Sequence, residues 1–272
     1  MKRALVVTLA LLTPLAVVRT AAAAGDGALV NALVRFPTVE PIPGASAVPP
    51  GEVTGLLDKP AGAGPFPAVV LLHGCAGLYD LHREWARALV AEGFVALRVD
   101  SFSPRGITEI CTDIRRPVPR KADTLGALAY LERQPWVDGE RLAVMGWSHG
   151  AGVALALDRD YALPARYRQR LRAVVALYPW CPSGRARLVA PVLIMIGEAD
   201  DWTPAERCRD LAAGATAAGR PIALTVYPGA THSFDCATCD GRYWGHRLVH
   251  DPAAAADARA RVATFLGERL RP

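Results

Sequence analysis

At 272 residues, 51% hydrophobic and 21% charged, the chain has an ordinary globular composition and is long enough for one large α/β domain with a substantial core. Its formal charge of +5 comes from arginines spread along the sequence. No Lys/Arg block resembles a nucleic-acid arm, so the charge describes a mildly basic surface and nucleic acid is excluded as the expected partner.

The first segment reads as a leader. Met1-Lys2-Arg3 is a short basic start, residues 4–18 are apolar with one proline, and Ala22-Ala23-Ala24 is a small-residue cleavage site. Together these describe a secretory signal peptide over residues 1–24, which leaves 25–272 as a single domain in the periplasm or outside the cell. The rival reading is a membrane anchor, but the apolar run is shorter than the roughly 20 residues needed to span a bilayer, so no stable insertion is expected.

Residues 28–50 hold a strand-like piece (Ala32, Leu33, Val34, Phe36) and a Pro/Gly-rich connector, and 53–57 read as a short strand. Apolar runs then alternate with helical periodicity. Residues 68–72 form a buried-type strand. A helix follows, capped by Asp80, with Leu81, Trp85, Ala88 and Leu89 on one face and Gly93 as its stop. Residues 94–99 make the next strand, Leu125, Leu128 and Ala129 mark another helix, and 141–145 form a strand. Further strands are expected at 173–178, 192–196 and 222–227. Thr203-Pro204-Ala205-Glu206 opens a helix with a capping box and a first-turn proline, and Asp251-Pro252 caps a C-terminal helix. Alternation of this kind means a mostly parallel α/β sheet covered by helices on both faces. Such sheets place ligands beyond the carboxyl ends of their strands.

In an exported chain, six cysteines suggest disulfides. Cys75 and Cys111 follow consecutive predicted strands, Cys181 follows another with Cys208 on the next helix, and Cys236 and Cys239 are close in sequence. The expected pairs are therefore 75–111, 181–208 and 236–239. Cys236-x-x-Cys239 with His246 and His250 has the ligand types of a zinc site, but the gap is shorter than in a zinc finger. A local disulfide is the preferred reading, and neither metal nor cofactor is expected.

The chemistry converges on Leu142-Ala-Val-Met-Gly-Trp-Ser-His-Gly-Ala-Gly152. Gly146-Trp-Ser148-His-Gly150 matches the Gly-x-Ser-x-Gly elbow, in which a strained strand-to-helix turn exposes the serine hydroxyl. Downstream lie Asp200, after one predicted strand, and His232, after the next. A serine hydroxyl is a poor nucleophile near neutral pH, so His232 is needed to take its proton and a carboxylate to orient the imidazole. Asp200 is chosen over its neighbour Asp201, which remains the alternative acid.

From about Pro60 onward the chain resembles the dienelactone hydrolase family of α/β hydrolases. The resemblance rests on His73-Gly-Cys-Ala-Gly77, Asp100-Ser-Phe, Pro104-Arg-Gly106, the elbow, the Gly-x-x-Asp-x-x-x-Pro loop and Pro228-Gly-x-x-His232. It implies an α/β-hydrolase fold with Asp200 as acid and His232 as base. The type enzyme has Cys where this chain has Ser148, and Glu where it has Gly74. These differences leave general ester hydrolysis intact, so carboxylic esters broadly, rather than dienelactone in particular, are the expected substrates. The elbow is also similar to that of secreted polyesterases of the cutinase type. In this fold the oxyanion hole uses the backbone N–H after the nucleophile, here His149, and one from the loop after the third strand, where Cys75 is the candidate.

Tyr79, Trp147, Trp180 and Trp202 lie at strand ends or the elbow and are candidate pocket walls, with core filler as the competing reading. His73 reads as a loop-shaping residue, and Arg105 as either a fork for a substrate carboxylate or a surface ion pair. Two further readings stand beside the esterase: a lactone hydrolase using the same triad, and a non-catalytic periplasmic binding or thiol-disulfide protein.

Overall fold

The computed structural model describes residues 27–40, 51–157, 170–183 and 188–271. The expected leader lies outside the described residues. An eight-stranded sheet runs in the order β1-β2-β4-β3-β5-β6-β7-β8. Its strands are β1 (Leu29–Pro37), β2 (Glu52–Lys59), β3 (Phe66–Leu72), β4 (Val95–Asp100), β5 (Val137–Trp147), β6 (Leu171–Leu177), β7 (Val192–Gly197) and β8 (Ile222–Tyr227). β1 and β2 pair antiparallel, and β2 is antiparallel to β4. The other pairings are parallel. The strands of the parallel centre are continuous apolar runs because both faces are covered; Val69, Val70, Val144, Val174 and Ile194 are fully buried.

The helices are α1 (Asp80–Ala91), α2 (Arg120–Glu132), α3 (His149–Leu157), α4 (Ala205–Ala217) and α5 (Pro252–Leu270). From β3 to β4 the chain steps one way across the sheet; from β4 to β5, β5 to β6 and β7 to β8 it steps the other way. Right-handed crossovers therefore put α1 on one face and α2, α3 and α4 on the other. α5 joins α1, with Arg259 lying over the Trp85 ring at 4.6 Å. The direction reverses between β3 and β5, which opens a crevice at their carboxyl ends.

The sequence does not anticipate two cap details or the hairpin. α1 is capped by Tyr79, not Asp80, with the Tyr79 N–H donating to His82 Nδ1 at 3.2 Å. α4 has Pro204 at its cap and no side-chain capping bond, because the Thr203 hydroxyl is drawn away into the loop before it. A small hairpin, β9 (Gly241–Tyr243) and β10 (His246–Leu248), follows β8. Disulfides join Cys75 to Cys111, Cys181 to Cys208 and Cys236 to Cys239, the pairs expected from the order of elements.

Candidate active site

β5 delivers Ser148 at the crevice with φ 51°, a left-handed conformation that costs energy for a residue with a side chain. Two close approaches hold it there. A Cβ on Gly146 would fall on the Gly150 carbonyl, and one on Gly150 would fall on the Leu72 and His73 carbonyls at the end of β3. The Ser148 N–H donates to Leu177 O at 2.9 Å, pinning the turn to β6.

Beyond β7, the Asp200 carboxylate is built into its own loop. Oδ1 accepts the N–H groups of Trp202 (2.9 Å) and Thr203 (2.8 Å), and Oδ2 accepts the Thr203 hydroxyl at 2.9 Å. Beyond β8 lies His232. The two loops are tied by Glu198 N–H to Tyr227 O at 2.9 Å and Ala199 N–H to Ala230 O at 3.0 Å. His232 Nδ1 lies 2.7 Å from Asp200 Oδ2, and Nε2 lies 2.9 Å from Ser148 Oγ. Asp200 and His232 are buried, at 4% and 2% exposed. The imidazole is flanked by the rings of Tyr178 (4.7 Å) and Trp202 (5.0 Å). Asp201 takes no part in this line; it is exposed and faces His246 at 3.4 Å.

Two clefts meet at Ser148. The larger, about 600 Å³, is lined by His149, Val153, Ala156, Trp180 and Ile114; the smaller, about 280 Å³, by Tyr79, His232, Tyr243 and Trp244. Trp202 and the Cys75–Cys111 disulfide border both. Of the four aromatic residues proposed as walls, Tyr79, Trp180 and Trp202 line the clefts. Trp147 does not. It is 1% exposed and packs beneath the elbow, where its indole N–H donates to Asp235 Oδ2 at 3.2 Å. An apolar ring with a donor edge finds its partner inside the core, and the cleft loses it.

Residues 53–270 match the profile of the Dienelactone hydrolase family. The chain belongs to that family. An uncharacterized protein of Mycobacterium tuberculosis is 31% identical to this hydrolase over 241 residues, 77% of this chain and 82% of that one. A probable 2-oxo-3-(5-oxofuran-2-ylidene)propanoate lactonase of Bradyrhizobium sp. is 26% identical over 199 residues, 65% of this chain and 77% of the other. Esterase FrsA of Klebsiella pneumoniae is 34% identical over 147 residues, 51% of this chain but only 30% of the esterase. A crystal structure of a putative dienelactone hydrolase, also from Klebsiella pneumoniae, superposes with a TM-score of 0.67 at 20% identity, over 88% of this chain and all of that one. The fold is thus that of the α/β hydrolases.

Around the hydrolase's crevice, several side chains have settled partners. His73 accepts the Ser101 N–H at Nε2 (3.3 Å), and its Nδ1 lies 2.7 Å from Gly74 O, which makes it a loop-shaping residue. Arg105 forks onto both oxygens of Asp123, at 2.9 and 2.7 Å, and also donates to Ser101 O. Its guanidinium is committed to the fold, not to a substrate. His246 stacks on Trp202 at 4.6 Å, the His250 backbone N–H donates to Asp240, and Cys236 and Cys239 are joined to each other; among the described residues these side chains form no group that could hold a metal ion.

Three residues that shape the site carry no sequence signal of that role. Asp235, 2% exposed, accepts the indole N–H of Trp85 (2.8 Å), that of Trp147 and the Tyr178 hydroxyl (2.8 Å). Burial pushes its carboxyl pKa up, and the three donors oppose that shift. Thr203 reaches Asp200, the Tyr178 carbonyl (3.1 Å) and His232 Nδ1 (3.1 Å) with one hydroxyl. Arg120, 3% exposed, donates to His73 O at 2.6 Å and contacts His149 Nδ1 at 2.6 Å. Apart from Asp200, three residues before Thr203, their partners lie tens of residues away, beyond the reach of any local periodicity.

Proposed function

We propose that this family member is a serine hydrolase of carboxylic esters, with Ser148 as nucleophile, His232 as base and Asp200 as the acid that orients it. The observation that carries this reading is the unbroken line from Ser148 Oγ through His232 Nε2 and Nδ1 to Asp200 Oδ2, at 2.9 and 2.7 Å, opening where two clefts meet. An ester has two halves about its carbonyl, and the two clefts offer a seat to each.

In the first half-reaction Oγ bonds to the carbonyl carbon while its proton passes to His232 Nε2. The carbonyl oxygen becomes an oxyanion facing the N–H groups of Cys75 and His149. Neither amide has an acceptor among the described residues, as expected for His149 at the first position of α3. Collapse expels the alcohol, which leaves with the proton from Nε2. Water then repeats the sequence on the acyl-enzyme, and the acid is released. Buried Asp200 holds the imidazole in the tautomer with its proton on Nδ1 and stabilises the imidazolium.

A lactone is an ester closed on itself and would pass through the same steps; the relative named as a lactonase favours this second reading. The thiol-disulfide alternative has less support, since Cys236 is only 1% exposed. Export through the leader is proposed alongside, supported by the three disulfides.

Treatment with a fluorophosphonate, followed by peptide mass spectrometry, should place the adduct on Ser148. Ser148→Ala should fold normally, lose the label and retain less than about a thousandth of the turnover. Substantial hydrolysis by that variant would remove the assignment. Parallel rates on linear esters and lactones then decide between the two substrate readings.

A further inference from the structure

The reaction scheme uses the backbone of His149 and leaves its side chain without a task. That ring lies in a defined state. Nδ1 is 2.6 Å from Arg120 Nη1, and a guanidinium has only N–H donors. Nδ1 is therefore the acceptor, and in the neutral ring the proton sits on Nε2. Arg120 is held in turn by its bond to His73 O at 2.6 Å and by the Phe102 ring 5.3 Å away. Burial first, and then the Arg120 charge, hold the His149 pKa down at about 4. Among the described residues, the charged groups about it are Arg120 and, on the cleft wall, Lys121; His73 behind them is itself kept neutral by burial. Among the described residues, no carboxylate lines the larger cleft. His149 does line it, and Nε2 is neither bonded among the described residues nor one of the enclosed nitrogens lacking a partner.

We propose that His149 is a specificity-determining residue whose Nε2–H, presented in this tautomer by Arg120, donates a hydrogen bond to an uncharged acceptor oxygen of the ester. That oxygen, of ether or carbonyl type, belongs to the half of the substrate in the larger cleft. The inference rests on Ser148 being the reacting centre. In a cleft walled by Val153, Ala156 and Trp180, a hydrocarbon at that point would strip water from the N–H and return nothing, whereas an acceptor restores the bond.

The test pairs methoxyethyl methoxyacetate with butyl butanoate. They match in length, and the first carries an ether oxygen on both sides of the ester, so whichever half enters the larger cleft bears an acceptor. Each is titrated into mature Ser148→Ala protein containing isotope-labelled histidine. The free protein should show His149 neutral with its proton on Nε2. That proton should move downfield with the ether ester and stay in place with the alkyl ester. A proton on Nδ1, a charged ring at neutral pH, or equal responses would overturn the proposal.

In the active enzyme, preference for the ether ester should be about fivefold to tenfold greater in the wild type than in His149→Phe, mostly through KM. His149→Gln, which restores an N–H, should recover part of it. Identical preferences in all three would also overturn the proposal. If Ser148 is not the nucleophile, neither ester turns over and no phosphonate adduct forms, yet the titration still reads the subsite by itself.

Discussion

Thr203 is a single hydroxyl at the meeting point of three groups: the Asp200 carboxylate, His232 Nδ1 and the Tyr178 carbonyl. Thr203→Val keeps the shape and removes the hydroxyl, so Asp200 loses one of its donors while the backbone bonds to Oδ1 remain. The expected outcome is a fall in kcat of about tenfold with KM little changed, read from steady-state kinetics; a change confined to KM would contradict it. Asp235 acts at longer range. Asp235→Leu would leave two indole N–H groups and a tyrosine hydroxyl without their acceptor in the core, so urea unfolding should show a loss of about 3 kcal/mol or more. Asn, which retains one carbonyl, should cost less.

At the scale of the element, the parallel strands and the elbow were legible because their cause is local: a run of apolar residues needs burial on both faces, and glycines mark where backbones touch. Gly146 and Gly150 could be read without a structure, since the neighbours a Cβ would strike lie in the elbow and at the end of the adjoining strand. The misreading of Thr203 as a helix cap has the opposite cause. Its sequence context suits a capping box, but Asp200 in the preceding loop and the distant Tyr178 carbonyl and His232 ring draw the same hydroxyl away. The β9–β10 hairpin, three residues a strand and largely exposed, lacks the alternation that would announce it. Arg120 and Asp235 were invisible because a buried charge is recognised by what surrounds it. The Cys181–Cys208 disulfide joins the segment after β6 to α4 across 27 residues. Replacing both cysteines by serine should cost about 3 kcal/mol of stability, and equal denaturation midpoints for the two proteins would contradict that.

The molecule as a whole carries three imidazoles that folding keeps uncharged. His73 is held well below its ordinary value, His82 down to about 3 and His149 to about 4, in each case by burial first. In the unfolded chain each titrates near 6.5. Below that pH the unfolded state binds protons that the folded state refuses, so the stabilisation present above about pH 6.5 declines as the medium is acidified, levelling off below the folded values. Between pH 6.5 and pH 5 this amounts to about 2 kcal/mol each for His82 and His149, with His73 acting in the same direction. Urea unfolding at pH 7 and at pH 5 should show the difference, and His82→Phe should shrink it. A stability unchanged over that interval would mean that the rings take up protons in the fold as readily as in the unfolded chain.

Trp202 borders both clefts, and its ring also packs against the His232 imidazole and stacks on His246. If the two ends of a substrate occupy the two clefts as proposed, both are measured against one indole. Selection for a bulkier acid and selection for a bulkier alcohol would draw on the same residue, and a change that widens one side alters the other along with the packing of His232. Adaptation at this position is therefore pleiotropic by construction: one replacement changes both ends at once, and single replacements of Trp202 should rarely improve one while sparing the other.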